Sequence, residues 1–291
     1  MFNANKQSGF TLVEIVVVIA IMGIIGGLSS LIIGRSLDSY AALERREKLQ
    51  TSVRLAVERI SRELRHALPH SICVHDGTNC VSSAQNRFYF IPAKAMGRYQ
   101  DRPGTYTAPP PIQRDRLPIS PLFRDRFDVL SSNATNRLNM DPNDWVAVYN
   151  INNSDIYLGI NNIRQQINTI TLKDIHNDAN ANTDIEQIQF AANQTFPNHS
   201  PSRRFYIIDN NQQVTLFYLS GRNLFRETTT FAAPNTASTN SRLLIENVAA
   251  CTFTYSPGSQ QRAGLLRINI TVEKNQEQIQ VIHDAHVYNT P

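Results

Sequence analysis

The sequence predicts an α+β fold: a long N-terminal α-helix, first transmembrane and then amphipathic, packed against a C-terminal antiparallel β-sheet head. Three features of the sequence lead there. Phe10 to Ile33 is an almost unbroken apolar run. From Arg35 to Leu68 apolar residues recur at three- and four-residue intervals, the period of a helix face. After Pro69 the pattern changes to short runs of alternating residues separated by Asn, Ser and Gly, the pattern of antiparallel strands. The chain has 291 residues, 41% hydrophobic and 18% charged, a globular balance. Its net charge of +4 is spread along the chain and not gathered in a tail, so nucleic acid is not an expected partner.

The apolar run is about 24 residues long, enough to cross a bilayer core of ~30 Å. It exceeds an ordinary signal-peptide core, and Gly34-Arg35 behind it does not read as a small-residue cleavage site. Glu14 lies inside the run. A carboxylate at the centre of a membrane helix costs ~2.5–3.5 kcal/mol on insertion scales, so it calls for a partner or for the nearby headgroups. Gly23 and Gly27 form a GxxxG pair, a spacing that lets membrane helices approach closely. Lys6 precedes the run while Arg35, Arg45 and Arg46 follow it, so charge alone does not place the N-terminus inside.

The segment Lys6-Gln7-Ser8-Gly9-Phe10-Thr11-Leu12-Val13-Glu14, continued by Ile15 to Ile24, resembles the class III signal of type IV prepilins and type II secretion pseudopilins. The resemblance implies a leader of residues 1–9, cleavage between Gly9 and Phe10 by a prepilin peptidase, and N-methylation of Phe10. It gives Glu14 the role of neutralising the new amine of a neighbouring subunit. It also implies membrane lipid, other pilins and an inner-membrane assembly platform as partners. The precursor would cross the inner membrane once, head periplasmic, before moving to the pilus and cell surface. Glu14 argues against the tip-type pseudopilin, which lacks this glutamate. Many major pilins have a proline near the position of Leu31; this chain has none.

The transmembrane and assembly helix is expected over 10–34 and its amphipathic continuation over 35–68. Leu49, Val53, Ala56, Val57, Ile60, Leu64 and Ala67 form the apolar face, and Glu44/Lys48 and Glu58/Arg62 are i,i+4 charge pairs. Pro69 ends the helix. The head, 69–291, has expected strands at Arg87–Ile91, Trp145–Tyr149, Asp155–Ile160, Thr169–Leu172, Ile185–Phe190, Arg204–Ile208, Gln213–Leu219, Leu243–Glu246, Cys251–Tyr255, Leu265–Val272 and Glu277–Val287. Residues 97–142, with Pro109-Pro110-Pro111, Pro118 and Pro121, read as a surface insertion. Ser200 to Ile208, Asn223 to Arg226, Cys251 to Phe253 and Gly264-Leu265 look like the O-type minor pilin of the mannose-sensitive haemagglutinin (MSHA) pilus biogenesis system, with the J-type pseudopilin the close alternative.

Cys73 and Cys80 flank a short polar loop and are the first choice for a disulfide; pairing of either with Cys251 stays open. His66, His70, Cys73, His75 and Cys80 cluster in sequence, but without a zinc spacing, and no metal is expected. Asp178, Asn180, Asn182 and Asp184 alternate as in a calcium loop. Thr183 stands where the turn glycine belongs and Gln189 where the bidentate glutamate belongs, so a solvated loop is the preferred reading and calcium the weaker one. His283 and His286 fall on opposite faces of a regular strand. No nucleophile elbow, zinc-protease helix or phosphate loop is present, and the chain is not expected to be an enzyme. The alternative of another class is a membrane-anchored adhesin or enzyme.

Overall fold

The computed structural model describes residues 11–100, 104–105, 113–114, 125–174, 180, 182, 184–191, 195–237, 241–258, 263–275 and 277–287. These divide into two compact units, Met1–Thr51 and Ser52–Pro291. Helix α1, Leu12–Leu64, supplies most of the first unit and one element of the second. In the second unit Val53, Ala56, Val57, Ile60 and Leu64 are buried, as their three-four spacing requires. The opposite side is charged. Arg54 bonds Glu58 at 3.0 Å and Arg59 bonds Glu63 at 3.2 Å.

Glu58 therefore pairs with Arg54, one turn before it, and not with Arg62 as the sequence suggested. Glu44 does pair with Lys48, at 2.6 Å. These exposed pairs contribute little, ~0.3–0.5 kcal/mol each. Arg226 reaches Glu63 from the sheet at 2.9 Å, with both side chains largely buried, and this contact ties the helix end into the head.

The helix ends at Leu64, four residues before the expected Leu68. The backbone beyond is claimed by the sheet. Leu68 donates its N–H to the Ile91 carbonyl at 2.8 Å, and Ala93 donates to the His66 carbonyl at 2.7 Å. Sheet hydrogen bonds thus end the helix before Pro69 does.

The head is antiparallel throughout. The first sheet has the order β1 (Cys73–Val74), β2 (Arg87–Phe90), β11 (Val214–Ser220), β12 (Asn223–Thr229), β13 (Arg242–Ile245). The second has the order β3 (Ala95–Arg98), β10 (Arg204–Ile208), β7 (Trp145–Ala147), β8 (Arg164–Lys173), β9 (Ile185–Phe190), β6 (Arg126–Asn133). The third is β14 (Val248–Ser256), β15 (Gly264–Lys274), β16 (Glu277–Val287), and β4 (Gly104–Thr105) with β5 (Gln113–Arg114) makes a short ribbon.

Two-residue alternation decides where the core lies. In β10, Phe205 and Ile207 enter one apolar cluster while Tyr206 and Ile208 enter another. The second sheet is therefore covered on both faces. Phe88 of β2 stacks on Phe217 of β11 at 5.1 Å and meets Phe253 of β14 at 4.6 Å, which joins the first sheet to the third.

Two further expectations change. Asp155–Ile160 is not a strand: helix α2 spans Asn153–Leu158 and stops at Gly159, whose φ of 67° is left-handed. Polar residues before the helix and glycine after it favour that outcome. Arg164 seals the turn. It donates to the Tyr157 carbonyl at 3.2 Å and lies 3.8 Å from the Phe231 ring centroid and 4.6 Å from that of Trp145. Burial lowers its guanidinium to about 10.

The second change concerns 97–142, which is not wholly a surface insertion. Its segment β6 carries Phe127 and Val129, both fully buried. Pro109, Pro110, Pro111, Pro118 and Pro121 lie outside the described residues.

Cys73 and Cys80 form a disulfide, and Cys251 is a buried free thiol that burial pushes up to about 12. Replacing both bonded cysteines by serine should lower head stability by about 2–3 kcal/mol, the entropy of so short a loop. Phe88→Ala should cost about 3–5 kcal/mol, because a large buried ring leaves a cavity. Urea unfolding followed by tyrosine fluorescence measures both.

Candidate functional site

The first turn of α1 is built by Thr11. Its hydroxyl accepts the Glu14 N–H at 3.3 Å and its carbonyl accepts the same N–H at 3.1 Å. Thr11 thereby satisfies one of the backbone donors that a helix start leaves open. Glu14 stands third in the helix, where a carboxylate faces the positive end of the helix dipole. Thr11 was not among the sequence-predicted site residues. The signal was there, since Thr11-Leu12-Val13-Glu14 is a threonine followed three residues later by glutamate.

Behind this turn the helix is apolar on every side and exposed on every side. Leu12 is 80% exposed, Ile19 64% and Ile33 58%. The helix contains a stretch long and apolar enough to cross a membrane. Among the described residues, and apart from the local helix backbone and chain neighbours, no atom comes within 4 Å of a Cβ added at Gly23 or Gly27, which leaves room for close approach there. Nine residues separate Glu14 from Gly23, about two and a half helical turns. Glu14 and the glycine face therefore lie on opposite sides, and one helix can use both at once.

Gly9 and Phe10, the expected scissile pair, lie outside the described residues. So does Asp178 of the calcium reading. Asn180 and Asn182 are exposed, and the Asp184 carbonyl accepts the Ala134 N–H at 2.8 Å. Among the described residues no three His, Cys, Asp or Glu side chains come together to hold a metal. The cysteines of the His66–Cys80 cluster are committed to the disulfide, and His75 Nδ1 lies 2.8 Å from Asn235 Nδ2. In β16, His283 and His286 are exposed, and Asp284 between them accepts two bonds from Arg267, at 2.8 and 2.9 Å, which hold its carboxyl below the usual range.

Residues 4–30 match the family described as the prokaryotic N-terminal methylation motif. Together with the uncovered apolar helix, the match supports the type IV prepilin-like class, with its processing by a prepilin peptidase and a membrane-anchored precursor. Comparison with curated proteins and with solved structures gives no match.

Thr11→Ala should cost the first turn about 1 kcal/mol. Amide exchange at Glu14 and Ile15 should speed up several-fold, and Thr11→Ser should restore the wild-type rate.

Proposed function

We propose that this chain is a minor pilin of an MSHA-type type IV pilus, cleaved between Gly9 and Phe10, methylated at Phe10 and assembled through its N-terminal helix. The observation that carries the reading is the methylation motif at residues 4–30 running directly into a helix whose apolar surface the chain does not cover. The precursor sits in the inner membrane with its leader cytoplasmic and its head periplasmic, and the subunit then joins a surface filament. Hydrolysis of the Gly9–Phe10 bond leaves a positive amine at Phe10. Once helices pack together that amine needs an anion, and Glu14 of a neighbour supplies it. Removing one member of such a buried pair costs ~3–5 kcal/mol. The open face at Gly23 and Gly27 favours close packing against another helix.

The narrower MSHA assignment draws on Ser200 to Ile208, Asn223 to Arg226, Cys251 to Phe253 and Gly264-Leu265, which fall in or beside β10, β12, β14 and β15. In this reading the head is a structural module with no catalytic role.

Intact mass and N-terminal sequencing of protein from native membranes should give methylated Phe10 as the first residue. A Met1 start, or cleavage beyond Ile33, would refute the reading. Glu14→Leu should be cleaved normally yet enter filaments at less than a tenth of the wild-type level, as judged by immunoblotting of sheared pili. Retention of the mature protein in the periplasm in the absence of any filament would favour the J-type pseudopilin instead.

A further inference from the structure

The head contains a cleft of about 410 Å³ lined by Arg59, Arg226, Arg242, Asn211, Gln212 and Thr228. Its charges do not balance. Glu63 accepts from Arg59 Nε at 3.2 Å and from Arg226 Nε at 2.9 and 3.0 Å, so one carboxylate serves two guanidinium groups. Arginine carries five N–H donors. Arg59 and Arg226 each commit only Nε, and the exposed side chain of Arg242 makes no hydrogen bond or ion pair among the described residues. Glu227 also borders the cleft, but it is 1% exposed and its Oε2 accepts the Ser241 hydroxyl at 2.9 Å.

The strand register supplies a second, independent observation. Arg226 in β12 lies directly opposite Arg242 in β13. Like charges opposite each other on antiparallel strands destabilise a sheet. The Arg226 side chain is only 17% exposed while Arg242 is exposed, so solvent screens the pair from one side, and Arg226 shares its counter-charge Glu63 with Arg59. An anion between the two groups would turn the repulsion into attraction and engage donors that the fold leaves open.

We propose that this cleft binds a small oxyanion of the phosphate or carboxylate class, held by the terminal N–H groups of Arg226 and Arg242 with Arg59 at the rim. The site belongs to the head and does not involve the N-terminal segment, so it stands or falls apart from the pilus assignment. The test titrates the full-length chain in detergent micelles with inorganic phosphate, and separately with succinate, at low ionic strength. Calorimetry reads binding, and the thermal midpoint is followed alongside. Wild type should bind at least one of the two saturably, and Arg242→Gln should weaken that binding at least tenfold. Without anion, Arg242→Gln should melt higher than wild type, because the like-charge pair is gone, and the anion should raise its midpoint no further. Arg222→Gln, outside the cleft lining, should bind as wild type does. Saturation by phosphate alone assigns the phosphate class, and saturation by succinate assigns the carboxylate class. Equal weak binding by wild type and Arg242→Gln, or an equal loss in Arg222→Gln, overturns the proposal.

Discussion

The apolar helical surface between Leu12 and Ile33 has to be covered by something other than water. Among the described residues, fourteen large apolar side chains between Leu12 and Ile33 are exposed. Fully burying one such side chain is worth about 1.5–3 kcal/mol. Summed over the stretch, the drive toward lipid or toward other helices exceeds the whole stability of a typical domain, about 5–15 kcal/mol. Solution as a monomer is therefore not a resting state for this chain. A bilayer satisfies the surface without any specific contact, whereas a packed array of helices adds specific ones. Lipid penalises the charge of Glu14, and the proposed helix array would pair it.

The second part of the same helix obeys a different rule. From Val53 to Leu64 one face is buried and the other is charged, so the segment serves the head as an ordinary amphipathic element. The exposed Arg54–Glu58 contact is worth little, but the Glu63–Arg226 contact is largely shielded from water and fixes the helix end against β12.

The helix, the antiparallel head and the processing signal were legible in the sequence because each rests on a local pattern. The apolar run, the three-four spacing of Val53 to Leu64, and alternation such as Leu266 to Val272 all survive in the structure. What was not legible depended on partners distant in the chain. Leu68 looked helical until Ile91 claimed its N–H. Asp155 to Ile160 alternates acceptably for a strand, but Gly159 and the Arg164 stack hold that segment as a short helix. Phe127 and Val129 were hidden by neighbouring prolines, although their own alternation marked a buried strand. At the N-terminus the carboxylate was obvious and its capping threonine was not, since Thr11 signals only through its distance from Glu14. The arginine cleft left no linear trace at all, because register sets Arg226 opposite Arg242 and Glu63 of the helix draws Arg59 and Arg226 together.

The disulfide has a mechanical consequence. Tension applied along α1 that passes its buried face, the Glu63–Arg226 contact and the Leu68–Ile91 hydrogen bond reaches the first strand at Cys73. There the Cys73–Cys80 bond provides a covalent shortcut. The bond gives the load a covalent route past Val74 to Asn79, the loop that holds the His75–Asn235 contact. Pulling cannot lengthen the molecule at that point by unravelling those residues. The first part of the head to yield under force must lie elsewhere, and the extensible length of the subunit is set by the strands that follow Cys80.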